Sequence, residues 1–475
     1  MTTGPADPRA ALRQLPAVDE ALRIARVARL AARTGRAEAT RLVRGALDGL
    51  RSELLDGSLD PAALAERVGA EALADRVEAL FLDERRRGVH PCINVSGVVL
   101  NTGLGRAPVH PEAAALMGAV AGGYCIFEVD RATGKRNRRD DQLSGLLGRL
   151  LGCEAAIAVN NNAAAAYLCL NTFARGGEAI VSRGELVEIG GSFRVPDVMT
   201  EAGVTLREVG TTNRTRLEDY RAAVGSETRL LMKVHTSNYR VVGFTEEVGM
   251  GELAELGREL ELPTVFDLGS GLVEAEGLAP LPDLGGETRV SDAVASGLDV
   301  VTFSGDKLFG GPQAGLLVGR RAAIEALRSN PVYRAMRLDK TALAGLEATL
   351  QLVLEGRGDE VPARRMLRTT AKELRPVAER LAVALDALPG LAAEALEERS
   401  QPGSGSAPDV YLDTWVVRVR SEQHSPEALA RRLRLGEPAV FARLHDGALL
   451  VDPRTLLEGD EVRLIGAFEA VSSVA

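Results

Sequence analysis

Aromatic side chains, histidine and cysteine are all scarce in this chain. Only 4% of its 475 residues are Phe, Trp or Tyr, and there are five His and four Cys. Cys92, Cys125, Cys153 and Cys169 stand far apart with no C-x-x-C pair, which argues against a zinc ribbon or a disulfide scaffold and leads us to expect reduced, mostly buried thiols. His90, His110, His235, His424 and His445 share no metal-ligand spacing, and no G-x-S-x-G elbow is present, so zinc and serine-hydrolase chemistry have no carrier. A G-x-x-x-x-G-K-[ST] loop is also missing, and Gly103-Leu104-Gly105 fails as a dinucleotide fingerprint because Arg106-Ala107-Pro108 follows it. No apolar run approaches the roughly 18 residues of a membrane helix. A basic-then-apolar leader is lacking too, so a cytoplasmic protein without membrane attachment is expected.

What remains is globular in composition, with 45% hydrophobic and 26% charged residues. At roughly 150 residues per domain, the length suggests about three domains. Charge is uneven. Residues 1 to 51 hold ten Arg, no Lys and five acids, a formal +5; against −9 for the whole chain this leaves −14 for the rest. That balance argues against a generic nucleic-acid coat, and DNA is not an expected partner. It also asks what the basic segment does. From Asp19 to Arg36, Ile24, Val27, Ala28 and Ala31 recur at helical spacing, with Arg23, Arg26, Arg29, Arg33 and Arg36 on the opposite side. A solvated helix face is the ordinary reading of such a stripe; an arginine fork for phosphate is the functional one.

The texture divides the chain into a helical module at 1–85, a larger region at 86–340 and a smaller α+β domain at 341–475. In the middle region, strands at Ala156–Val159, Ala179–Ser182, Thr205–Val209, Arg229–His235, Thr264–Asp267, Val300–Ser304 and Gly315–Val318 alternate with helical stretches. This predicts an α/β fold, a mostly parallel seven-stranded sheet with helices on both faces and ligands at its carboxyl edge. In the last region, long helices are expected through Leu354 and over Glu373–Leu388, a flexible loop at Ser400–Pro408, strands at Tyr411–Val419 and Ala448–Val451, and a further strand at Val462–Ile465.

Three polar groups fall at strand ends. The strand Val300–Ser304 delivers Lys307 into a Gly- and Pro-rich turn, where desolvation lowers a lysine pKa and leaves the neutral amine that Schiff-base chemistry needs. Ser304 adds a hydroxyl for a phosphate. Asp267 ends the strand Thr264–Asp267 and can pair with a pyridinium nitrogen, although Asp before Leu-Gly also suits a simple turn. Asn160-Asn161-Asn162-Ala163 opens a helix whose first amides can bind phosphate. Together they describe a pyridoxal 5'-phosphate site better than any competing cofactor.

At these positions the chain resembles a known family. INVSGVVLNTGLGRAPV from Ile93, VNNNAAA from Val159, VSRGELVEIGGSFRVPDVM from Val181, EVGTTNRT from Glu208, KVHTSNYRVVGFT from Lys233 and FSGDKLFGGPQAG from Phe303 are similar to bacterial selenocysteine synthase, the L-seryl-tRNA(Sec) selenium transferase family. The resemblance implies the aspartate-aminotransferase-type large-domain fold and conversion of L-seryl-tRNA(Sec) to L-selenocysteinyl-tRNA(Sec) with selenophosphate, through an aminoacrylyl-tRNA. It implies that Lys307 carries the cofactor, that Asp267 holds the pyridine nitrogen and that Asn160, Asn161, Asn162, Ala163 and Ser304 lie near the phosphate. Asn238 would approach the ring hydroxyl. Arg106, Arg334 and Arg337 would bind the selenium donor, the last two sharing a helix face. The arginine-striped N-terminal module becomes the tRNA reader, and a homo-oligomer, a decameric ring of dimers in the family, is expected. Two positions depart from the family pattern: Gly103, where Asn is usual, and Asn137-Arg138, where Gly-Ser is usual. The alternative is a related pyridoxal phosphate lyase acting on a free amino acid or amino sugar acid, which would not need the arginine-striped module.

Overall fold

The computed structural model describes residues 11–190, 193–403 and 405–472. The chain divides between Pro91 and Cys92 into two compact units.

In the first unit, helices Ala25–Thr34, Arg36–Leu55 and Ala70–Arg86 enclose Val27, Leu30, Leu42, Val43, Leu50, Leu73 and Val77. The first two helices break at Gly35, whose φ of 91° is open to glycine at little cost. The expected apolar stripe is corrected here: Leu30 joins Val27 in the core, while Ala28 is exposed and Ala31 half-buried. The arginine stripe is also divided. Arg26 turns onto the third helix, 2.6 Å from Asp75, 2.6 Å from Glu78 and 3.0 Å from Glu71. Arg36 pairs with Asp19 at 3.0 Å. Arg23, Arg29 and Arg33 are exposed.

The second unit carries fourteen strands among the described residues: β1 (Cys92–Val95), β2 (Ala155–Val159), β3 (Glu178–Ser182), β4 (Glu188–Ile189), β5 (Phe193–Arg194), β6 (Thr205–Val209), β7 (Thr228–Val234), β8 (Thr264–Gly269), β9 (Val300–Ser304), β10 (Gly315–Gly319), β11 (Leu391–Ser400), β12 (Leu412–Ser421), β13 (Ala439–His445) and β14 (Ala448–Val451). Seven form a sheet in the order β2-β10-β9-β8-β7-β3-β6. Its pairs are parallel except for β10, which runs antiparallel to β2 and to β9. Successive side chains in a strand point to opposite faces, so each strand feeds two cores. Ala156, Phe266, Val301 and Phe303 join one, which the helices Asp141–Leu151, Met250–Leu260 and Lys340–Leu354 cover. Ile157, Val265 and Val300 join the other, beneath Asn162–Phe173 and Arg321–Ser329. The mostly parallel seven-stranded sheet with helices on both faces is therefore present.

A second sheet has the order β1-β13-β14-β12-β11. It packs with helices Ala371–Asp386, Pro426–Leu435 and Asp460–Ser472 around Ile93, Leu381, Val417, Leu449 and Phe468. Chain order and layer order differ at both ends of the large region. Cys92–Val95 pairs in parallel with Ala439–Ala442 of this C-terminal sheet, and Lys340–Leu354 packs on Pro111–Gly122 beside the large sheet. The β11 and β13 strands were not anticipated, because β11 alternates small apolar residues with Glu and resembles a solvated helix in composition. The strand expected at Val462–Ile465 is instead part of the helix Asp460–Ser472. Leu464, Phe468 and Val471 are buried there at spacings of four and three, the period of a helix and not of a strand. Of the four thiols, Cys153 and Cys169 are buried, Cys92 is half-buried and Cys125 exposed; all are free, so the expectation of mostly buried thiols holds for two.

This last correction is testable. Val462 is 78% exposed and Leu464 fully buried, whereas a strand would place both on one face. Val462→Lys should leave urea stability within about 0.5 kcal/mol, and Leu464→Ala should lower it by about 2–5 kcal/mol. Equal losses would favour the strand.

Candidate active site

Parallel strands bring their last residues to one edge of a sheet, and here that edge gathers Ser304 at the end of β9 with Lys307 just beyond it, Asp267 on β8 and the Asn run after β2. Lys307 is 7% exposed, and its Nζ donates to the Gly405 carbonyl at 2.9 Å. Burial first, and then the nearby Arg106 guanidinium, hold its pKa below the ordinary lysine value. Gly405 has φ +79°, and a Cβ there would stand 3.0 Å from Lys307 Nζ, so any other residue in this place would be strained and would press on the lysine.

Asp267 is buried. Its Oδ1 accepts from Asn162 Nδ2 at 2.6 Å and from Thr302 Oγ1 at 3.2 Å. Burial pushes this carboxyl above the ordinary range, against the opposing pull of those two donors and of the Lys307 charge. A cationic N–H partner would restore the carboxylate.

On the β2 side, Asn161 caps the helix Asn162–Phe173 by accepting from the Ala164 amide at 2.9 Å. Asn161, Asn162 and Ala163 line a cavity of about 280 Å³ together with Arg106, Asp267, Ser304 and Lys307. Asn160 is exposed, and its amide is taken by the Met336 carbonyl at 3.0 Å; it is not among the residues that line the cavity. Asn238 also lies outside the lining; it is exposed and donates to the Glu188 carbonyl at 2.7 Å.

His235 and Ser237 line the cavity in its place. His235 follows β7, whose Val234 is in register with Asp267, and its amide donates to the Asp267 carbonyl at 2.9 Å. Its Nε2 is 3.1 Å from Glu287 Oε1, and the Glu287 side chain is only 2% exposed. Burial tends to raise the Glu287 pKa, but the His235 hydrogen bond and charge hold it below the ordinary value. Glu287 also accepts from the Ala407 amide at 3.4 Å, two residues beyond the Gly405 that meets Lys307. The usable signal for His235 was its place at the end of the strand neighbouring that of Asp267. For Glu287 and Gly405, which lie on connections, there was none.

The three arginines separate. Arg106 lines the cavity and pairs with Asp306 at 2.7 Å. Arg334 is exposed on the helix Pro331–Met336. Arg337 lies past the end of that six-residue helix, and its extended backbone bridges Val159 of β2, so the two arginines do not share the expected helix face. It stands 3.9 Å from Glu128, and its Nε is buried without a partner.

Comparison with known proteins places the arrangement. A family model described as L-seryl-tRNA selenium transferase matches residues 92–457, and one described as selenocysteine synthase N terminal matches residues 12–51. The chain belongs to the L-seryl-tRNA selenium transferase family. It is 48% identical over 426 residues to the L-seryl-tRNA(Sec) selenium transferase of Solidesulfovibrio magneticus, covering 88% of this chain and 89% of that one. It is 42% identical over 413 residues to that of Aquifex aeolicus, with 86% and 88% covered, and 44% identical over 466 residues to that of Moorella thermoacetica, with 96% of each covered. Among solved structures, D-glucosaminate-6-phosphate ammonia-lyase superposes with a TM-score of 0.55 at 22% identity, over 82% of this chain and 97% of that one; this likeness concerns the fold.

The cofactor of this selenium transferase family chain is pyridoxal phosphate, and the residues present fit it. A desolvated lysine, a buried carboxyl with no ion pair among the described residues and a helix N-terminus converge on one cavity. Asn162 Oδ1 and Ser237 Oγ, both in its lining, are buried and have no hydrogen-bond partner among the described residues, as is expected of groups whose partner is a ligand.

Because the neutral amine is the reacting form, it accumulates as pH rises through the lysine pKa. When cofactor-free protein is mixed with pyridoxal phosphate, the rate of lysine-linked absorbance should therefore rise with pH to a plateau, with its midpoint below the ordinary value of about 10.4. Lys307→Ala should give no borohydride-reducible linkage. A midpoint at or above the ordinary value, or a linkage retained by the variant, would refute the assignment.

Proposed function

We infer that this chain converts L-seryl-tRNA(Sec) to L-selenocysteinyl-tRNA(Sec), with selenophosphate as donor. The observation that carries this reading is the pairing of a desolvated Lys307 beside Asp267 with a family match that extends through the N-terminal module at residues 12–51. When bound, pyridoxal phosphate delocalises the electron pair left at the serine α-carbon, which allows the β-hydroxyl to leave and a nucleophile to add at the β-carbon.

The chain's own groups do the rest. Asp267 would hold the ring nitrogen through a charge-assisted hydrogen bond. The amides at Asn162 and Ala163 and the Ser304 hydroxyl bind the phosphate. Lys307 Nζ would take the α-proton and return it, its lowered pKa suiting both directions. Arg106, Arg334 and Arg337 meet the tetrahedral donor anion. The exposed Arg334 and the weakly held Arg337 support that role, since neither guanidinium is committed to a close carboxylate among the described residues. Because serine enters as an ester, the site needs no cation for a free α-carboxylate.

The N-terminal module reads the tRNA. Arg26 is spent on Glu71, Asp75 and Glu78, and Arg41 on Glu38 and Glu84. Arg23, Arg29 and Arg33 are exposed and left for phosphate. The protein works as a homo-oligomer in the cytoplasm, and no helix among the described residues is long and apolar enough to cross a membrane. A lyase acting on a free amino acid or amino sugar acid shares the large sheet but gives the N-terminal match no purpose.

Mass spectrometry of the aminoacyl group, after incubation with seryl-tRNA(Sec) and selenophosphate, should show selenocysteine in place of serine. Arg334→Ala should still lose the serine hydroxyl yet slow selenium transfer at least 10-fold; an unchanged transfer rate would remove it from the donor site. For the RNA, Arg23→Ala/Arg29→Ala/Arg33→Ala should weaken tRNA binding about 10-fold or more with cofactor content unchanged. Affinity equal to that of the parent would return the stripe to an ordinary solvated face.

A further inference from the structure

The departure at Asn137-Arg138 lies in a feature that the active site does not use. Residues 123–139 form a hairpin closed by an antiparallel bridge between Val129 and Arg136. Its tip is ordered by Asp130, whose carboxylate accepts from the Thr133 amide at 2.7 Å and hydroxyl at 2.6 Å. From Arg131 to Arg139 the sequence RATGKRNRR holds five cations and no acid, on a unit that is otherwise acidic.

These cations are of two kinds. Arg139 belongs to the hairpin's base. It is half-buried, bonds Glu128, stacks 4.6 Å from the Phe127 ring and donates to the Leu338 carbonyl at 2.7 Å. Arg138 forks onto Glu325 at 3.0 and 3.2 Å, which gives the unusual residue a structural partner. Arg136 keeps an 80% exposed side chain beside Glu128. Arg131 and Lys135, at the tip, are exposed and make no ion pair with any described residue.

The base ties this tip to the catalytic edge. Lys340 Nζ donates to the Gly123 carbonyl at 2.8 Å, Arg139 reaches Leu338, and Arg337 approaches Glu128 at 3.9 Å. The same segment bridges β2 at Val159 and takes the Asn160 amide. The hairpin is thus rooted in the chain stretch that carries the donor arginines and borders the phosphate end of the cavity.

We propose that the hairpin 123–139 is a second RNA-contact surface, at which Arg131, Lys135 and Arg136 hold phosphates of the tRNA acceptor arm at the rim of the catalytic site. This rests on the tRNA reading above and extends it from the N-terminal module to the catalytic unit. Serine esterified to an RNA end can reach Lys307 only if the adjoining backbone passes over the rim, and an acidic body repels that backbone everywhere except at a basic surface. Arg131 and Lys135, which make no ion pair among the described residues and are held on an ordered hairpin, offer such a surface without a prior ion pair to break, and Arg136 adds a charge shared with Glu128.

The test uses the full-length, cofactor-loaded protein carrying Arg131→Ala/Lys135→Ala. Its Kd for seryl-tRNA(Sec) is measured between about 50 and 200 mM salt, with assembly mass followed by light scattering. The expected result is a Kd about 10-fold higher at the lowest salt and a log–log salt slope shallower by about two, one for each phosphate contact. KM for seryl-tRNA should rise with kcat, assembly mass and Lys307-linked cofactor unchanged. A Kd or slope superimposable on the parent's would overturn the proposal. A fall in assembly mass would also overturn it and assign the hairpin to a contact between copies, which the exposed Tyr124 and Ile126 at its start would then serve. Failure of the parent protein itself to bind seryl-tRNA would instead bring down the functional reading on which the proposal stands.

Discussion

A charged group at the carboxyl edge of a sheet that is covered on both faces has little water to turn to. Lys307 and Asp267 are both held there, and burial acts on them in opposite directions, lowering the amine's pKa and raising the carboxyl's. Both effects favour the neutral forms, which leaves the site unsatisfied in a way that one ligand can relieve. An aldehyde consumes the free amine, and a pyridinium N–H returns the carboxyl to its charged state. Much of the rest of the unit serves to keep this edge dry. Phe266, Phe303 and Val301 pack beneath one face and Val265 and Val300 beneath the other, so the strands that end in polar groups are apolar along their length.

The edge is closed by the C-terminal part of the chain. The segment after β11 places Gly405 against Lys307 and Ala407 on Glu287, and Glu287 in turn holds His235. A buried knot anchors that part. Arg454 is 3% exposed, bonds Ser400 at the end of β11, and donates to the Met366, Thr369 and Asp413 carbonyls. A guanidinium with so many fixed acceptors is a costly group to bury unless its geometry is fully met, and once met it defines one arrangement of the strands around it. The loop that touches the lysine therefore leaves a rigid root.

Basic residues act in two ways in this protein, and burial sorts them. Arg26 and Arg41 close the N-terminal helices onto each other through carboxylates, whereas Arg23, Arg29 and Arg33 point to solvent. In the catalytic unit, Arg139 fastens the hairpin base while Arg131 stands clear of it. An arginine stripe in a sequence is thus a mixture of structural clamps and available cations. The difference depends on whether an acidic residue from another helix comes within reach.

The amino-acid sequence by itself determined the strand-ending motifs, and with them Lys307, Asp267, Ser304 and the Asn161–Ala163 turn, because strand texture followed by glycine is a local property of the chain. It also carried the seven strands of the large sheet, each written as a short β-branched or apolar run. Only the tertiary structure decided that Asn238 lies outside the cavity lining while His235 is in it, that Arg337 lies beyond its helix, and that Cys92–Val95 pairs with a strand more than 300 residues later in the chain. It alone placed Gly405 on Lys307 and Glu287 behind His235. Such contacts join residues on loops and on distant strands. Their partners are chosen by which buried polar groups must be satisfied, a condition that exists only once the layers have packed.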